Sequence, residues 1–83
     1  MSQSVTRSLR FFSRPDCPLC DEAEQLLEHM GVGAALIYQD IEDSIELLDR
    51  YGERIPVLQR SCDGAELDWP FNAAQARGFI GIE

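Results

Sequence analysis

Lysine is missing from this chain: all seven basic residues are arginine, set against 15 acids, and the net charge is −8. That balance excludes a nucleic-acid binder, because too few cations are present to replace the counterions around a phosphate backbone. It also repels anionic small molecules, over a range that physiological salt limits to about 8–10 Å. Long apolar runs are absent as well. The most extended, Val32 to Tyr38, is interrupted by Gly33 and falls far short of the roughly 20 residues of a membrane-spanning helix. The opening segment, Met1 to Ser8, is polar and has no apolar centre, so no secretory signal is expected and a cytoplasmic setting follows. Repeats, low-complexity tracts and linkers are missing too. With 83 residues, 45% of them hydrophobic and 27% charged, the chain reads as one folded domain over 1–83, its core spanning about 9–79. It is expected to work as a monomer, with neither nucleic acid nor membrane as partner.

Cysteine is scarce but unevenly placed. There are three, so they cannot all pair within one chain. Cys17 and Cys20 stand two residues apart, whereas Cys62 is remote. In a reducing compartment this arrangement points to catalysis or metal binding ahead of a structural staple.

Along the chain, Leu9 to Phe12 reads as a buried strand. The loop Ser13-Arg14-Pro15-Asp16-Cys17-Pro18 follows, and Pro18 suits the first turn of a helix. From Cys20 the apolar residues Ala23, Leu26, Leu27 and Met30 recur at helical spacing, and Gly31 ends the run. Ala34 to Tyr38 reads as a second strand. Asp43 or Ser44 caps a second helix bearing Ile45, Leu47, Leu48 and Tyr51, with Gly52 as its stop. A third strand opens at Ile55-Pro56-Val57-Leu58. Asp63-Gly64 signals a hairpin turn, Ala65 to Leu67 the returning strand, and Asn72 to about Phe79 a last helix with Asn72 or Asp68 near its start. The expected architecture is α/β, in the order β-α-β-α-β-β-α, with a mixed four-stranded sheet flanked by helices.

At a strand-to-helix junction the motif Cys17-Pro18-Leu19-Cys20 has a definite chemistry. Cys17 falls at the helix N-terminus, where unpaired amides and the dipole favour a thiolate, making it the nucleophile. Cys20, one turn on, lies on the same side and is placed to resolve a mixed disulfide. Asp16, Asp21 and Glu22 oppose thiolate formation, and Arg14 offsets them. Two other classes remain open. Cys17 and Cys20 form half of a zinc site if His29 and Cys62 complete it, although His29 lies nearly three turns away; or the fold is kept as a non-catalytic binding module. Cys62 otherwise reads as an incidental thiol and His29 as a solvated helix residue. Ile55-Pro56 is either an edge-strand entry in trans or a cis bond facing the dithiol. Trp69 either caps the core or contacts substrate.

The segment Phe12 to Asp21, with Cys20-Asp21-Glu22-Ala23, Arg54-Ile55-Pro56-Val57 and Asp68-Trp69-Pro70-Phe71, resembles the glutaredoxins, and more narrowly the small bacterial glutaredoxin-like proteins. The resemblance runs from Leu9 to about Phe79. It implies the thioredoxin-like, glutaredoxin-type fold, a cis Pro56 beside Cys17, and thiol–disulfide exchange with no bound cofactor. It further implies a substrate surface of Arg14, Pro18, Leu19, Arg54, Ile55, Pro56 and Trp69. Protein or small-molecule disulfides are then the substrates and glutathione a candidate reductant. Leu19 stands where glutaredoxins commonly carry tyrosine, and Asp68-Trp69 lies near the position of their glutathione-holding Gly-Gly pair. A bulky ring and an added carboxylate there crowd and repel the γ-glutamyl end, while Arg14 and Arg54 are placed to receive a carboxylate.

Overall fold

Side chains of a β-strand alternate between the two faces of a sheet, and the first strand uses both. The computed structural model describes residues 9–81, so the polar leader Met1–Ser8 lies outside the described residues. In β1 (Leu9–Ser13), Leu9 and Phe11 enter one apolar cluster and Phe12 a second one on the opposite face. The first cluster joins them to Leu36 and Leu58 of the neighbouring strands, to Cys20, Ala23 and Leu27 of helix α1 (Pro18–His29), and to Ala76 and Ile80 of helix α3 (Ala73–Ile80). The second gathers Phe12, Ile41 and Val57 around Tyr51, the last residue of helix α2 (Ile45–Tyr51). There the Phe12 and Tyr51 rings stack with centroids 4.1 Å apart. Two helices thus cover one face of the sheet and one covers part of the other.

The strands are β1, β2 (Leu36–Asp40), β3 (Val57–Arg60) and β4 (Glu66–Asp68), arranged in the order β2-β1-β3-β4. β1 pairs parallel with β2, Leu9 opposite Leu36, and antiparallel with β3, Phe12 opposite Val57. β3 and β4 are antiparallel, Val57 opposite Asp68. This is the mixed four-stranded sheet with three helices that the element order predicts, and the fold is thioredoxin-like.

Several boundaries differ from those expected. The strand read as Ala34–Tyr38 begins two residues later, because Gly33–Ala35 forms a single 3-10 turn in which the Ala35 amide donates to the Val32 carbonyl at 3.0 Å. Small side chains bury too little surface to hold that stretch in the sheet. β3 begins at Val57 rather than Ile55, since the Ile55 amide is committed to the Tyr51 carbonyl at 3.1 Å and Pro56 has no amide to give the ladder. β4 runs Glu66–Asp68 rather than Ala65–Leu67. Asn72, not Asp68, caps α3: its side chain accepts from the Gln75 amide at 2.7 Å, and the Gln75 side chain accepts from the Asn72 amide at 2.9 Å. At the other end of α1, Gly31 has φ +82°, its amide donates to Glu28, and the Val32 amide donates to Leu27. That Schellman arrangement requires the left-handed conformation that glycine adopts without steric penalty.

Candidate active site

The chain leaves β1 at Ser13 and reaches α1 through Arg14–Cys17. Asp16 takes φ 59° there, a left-handed conformation that aspartate tolerates better than most residues. The turn delivers Cys17 to the N-cap of α1 in extended conformation, φ −115° and ψ 100°. Its Sγ accepts the Cys20 amide at 3.1 Å, satisfying a donor that the first turn leaves orphaned. Pro18 at the first helical position has no amide needing a partner. The same electropositive helix end that holds Sγ in the disulfide favours a thiolate once the bond is reduced.

Cys17 and Cys20 are joined as a disulfide, with Cα atoms 5.2 Å apart. The two sulfurs are not equivalent. Cys17 is partly exposed, whereas Cys20 is buried in the core beneath α1 at 4% exposure. An incoming molecule therefore meets Cys17 first. It does so in an open groove of about 480 Å³ running from Arg14 and Asp16 past Cys17 and Leu19 to Gly52 and Ile55. The Ile55–Pro56 peptide is cis, as is Trp69–Pro70. Pro56 itself is fully buried, and its carbonyl accepts the Trp69 amide at 3.0 Å.

Of the residues singled out from sequence, Arg14, Cys17, Pro18, Leu19 and Ile55 share the groove. Arg54 and Trp69 do not line it. Trp69 is partly buried on the main core, edge-on to Phe71 with ring centroids 5.0 Å apart. The thiol and imidazole weighed as zinc ligands are dispersed: His29 ends α1, about 16 Å along the helix from Pro18, and Cys62 is exposed in the turn between β3 and β4. Among the described residues no group of three His, Cys, Asp or Glu side chains is assembled for a metal.

Both arginines near the groove are already engaged. Arg14 pairs at 2.8 Å with Glu42, which also lines the groove. Arg54 donates to both oxygens of Asp68, at 2.8 and 3.0 Å, and to Glu66 at 2.7 Å. Tyr51 donates its hydroxyl to the other Glu66 oxygen at 2.6 Å. Sequence reading missed Glu42 and Glu66 as partners. A faint signal was available for the second, since Glu66 and Asp68 are two apart on one strand and so share a face. None was available for Glu42, 28 residues from Arg14.

The hydrogen bond from Arg54 holds the Asp68 carboxyl below the usual range. At Glu66, burial works to raise the pKa, and the hydrogen bonds from Tyr51 and Arg54 outweigh it, leaving the carboxyl lowered. Carboxylates with depressed folded values add stability above their ordinary range and lose that contribution as pH falls. The urea midpoint should therefore drop as pH is taken below about 4. Arg54→Met should make that drop shallower, by a modest margin because Arg54 and Asp68 are substantially exposed. Parallel pH curves for the two proteins would contradict this assignment.

Residues 8–80 match the family model for the glutaredoxin-like domain (DUF836). Among solved structures, the X-ray structure of Northeast Structural Genomics target XcR50 from X. campestris is 38% identical with TM-score 0.81, over 92% of this chain and 99% of that one. The solution structure of the same target gives 38% identity and TM-score 0.80, over 92% and 95%. A search of curated proteins finds no match. No helix among the described residues is long and apolar enough to cross a membrane.

Proposed function

We propose, from the premise that the chain belongs to the glutaredoxin-like domain family, that it is a thiol–disulfide oxidoreductase working through Cys17 and Cys20. The observation that carries this reading is the asymmetry of the pair. One sulfur is accessible and held by a helix amide, and the other is buried one turn away within bonding reach.

In the reducing direction the Cys17 thiolate attacks one sulfur of a substrate disulfide. That S–S bond breaks, its other sulfur leaves as a thiolate that takes up a proton, and Cys17 holds a mixed disulfide. Cys20 then loses its proton and attacks Sγ of Cys17, releasing the second substrate thiol and closing the Cys17–Cys20 disulfide. Two electrons pass to the substrate. An external thiol, glutathione or a protein dithiol, returns them. A reducing compartment such as the cytoplasm suits this cycle, and one copy of the domain suffices for it.

The test is a redox titration in dithiothreitol buffers, read as the mass added by thiol alkylation. A reversible two-thiol step should appear, with a potential in the thioredoxin-to-glutaredoxin window of about −270 to −200 mV. Cys20→Ser should stop the cycle at the mixed disulfide and accumulate it. A Cys17–Cys20 bond that dithiothreitol leaves intact, or Cys17 and Cys20 thiols that reoxidation never pairs, would refute the reading.

A further inference from the structure

The charge and apolar surface around Cys17 describe a client. Resting on the oxidoreductase reading above, we propose that this groove selects cationic polypeptide disulfides carrying an apolar residue beside the cysteine, and discriminates against anionic thiols such as glutathione.

The first argument is cationic capacity. Glutathione carries more carboxylates than ammoniums, so a site for it needs unpaired positive charge within reach of the attacked sulfur. Among the described residues the groove is lined by one base, Arg14, and that base is paired with Glu42. Asp16, exposed in the turn before Cys17, leaves the lining one charge negative. Arg54, next in sequence to the groove residue Ile55, is spent on Asp68 and Glu66, and that trio also carries one surplus negative charge. Glu22, exposed one turn beyond Leu19, and exposed Glu53, beside Gly52, extend the acidic rim. With −8 on the whole chain, the field at the dithiol attracts cations and repels anions.

The second argument is apolar. Leu19 is 48% exposed next to the dithiol, while Ile45 and Leu48 on α2 are 77% and 38% exposed. Ile45, Leu48 and Gly52 recur at intervals of three and four, so they form one stripe on α2. Gly52 at its end lines the groove. The stripe thus leads from the dithiol along α2, giving an extended chain apolar contact beyond its cysteine. A tripeptide thiol with a carboxylate at each end has nothing to place there.

The test uses the reduced protein and three mixed disulfides with the same chromophoric aromatic thiol, nitrothiobenzoate. Its partners are the peptides Arg-Leu-Cys-Leu-Arg and Glu-Leu-Cys-Leu-Glu, and glutathione. Cys17 attacks the peptide sulfur and coloured thiolate leaves; Cys20 then frees the peptide thiol, so one disulfide forms for one broken. At low ionic strength the cationic peptide should react about tenfold faster than either anionic substrate, and the gap should close to about twofold near 1 M salt. The pair Asp16→Asn with Glu22→Gln should narrow the gap, asparagine being tolerated at the left-handed position 16. Replacing both leucines of the cationic peptide by glycine should slow it about tenfold. Ile45→Ser should shrink that leucine-to-glycine ratio about threefold. Equal rates for the three substrates, or faster reaction of the anionic ones, would overturn the selectivity and leave the oxidoreductase reading standing. Release no faster than from a Cys17→Ser protein, for every substrate, would overturn both.

Discussion

Serine at position 17 is expected to reduce disulfide-reductase turnover by roughly a thousandfold or more, to the uncatalysed background, because a hydroxyl cannot take the place of the attacking thiolate. The fold should survive the change. Cys17 is the N-cap of α1, its sulfur accepting the Cys20 amide, and serine is among the best N-caps, with an oxygen able to accept the same donor. An unchanged thermal midpoint of the reduced protein, measured beside the activity, would separate lost chemistry from lost structure. Cys20→Ser should behave differently: the first displacement proceeds at close to the wild-type rate and the complex then stalls. If Cys17→Ser kept its turnover while Cys20→Ser lost both steps, the roles of the two sulfurs would have to be exchanged. The burial of Cys20 argues against such an exchange.

The part of this site that sequence disclosed is the part fixed by local rules. Pro18 at the first helical position, Cys17 just ahead of it and the apolar spacing of Ala23 and Leu27 define the start of α1 within a few residues. Asp63-Gly64 likewise marks the β3–β4 turn, where Asp63 accepts the Ala65 amide at 3.0 Å and the Arg60 amide reaches the Ala65 carbonyl. Where neighbours distant in sequence decide, local rules are silent. Arg54 looked available for a substrate carboxylate, but β3–β4 pairing brings Asp68 and Glu66 onto its guanidinium. Arg14 acquires Glu42 by parallel pairing of β1 with β2, whose end passes directly into the turn that carries Glu42. The onset of β2 at Leu36 is hidden for a related reason: alanine and glycine have too little side chain to announce which of two backbone conformations packing will select. The electrostatic character of the groove was therefore illegible, although the residues composing it were not.

Phe11→Ala is the substitution with the largest expected effect on stability. Phe11 is 1% exposed in β1, which is flanked on both sides by partner strands, and its ring meets Tyr38 edge-on with centroids 5.7 Å apart. It belongs to the cluster that includes Cys20, Ala23, Leu27 and Leu58, so its removal opens a cavity directly beneath α1. Such truncations cost about 3–5 kcal/mol. A chain of this length has roughly 4–12 kcal/mol of stability in all. In a domain this small each kcal/mol moves Tm by about 4–8 °C, so a drop of roughly 12 °C or more is expected. Ile37→Ala on the neighbouring strand, where the side chain is half exposed, should shift Tm by far less. The consequence reaches the chemistry, because the packing that buries Cys20 is what makes Cys17 the sulfur that substrate meets. In the reduced Phe11→Ala protein, Cys20 should be alkylated faster than in the wild type under conditions where both remain folded. An unchanged Cys20 alkylation rate alongside the fall in Tm would mean that α1 shields the resolving thiol without help from the core beneath it.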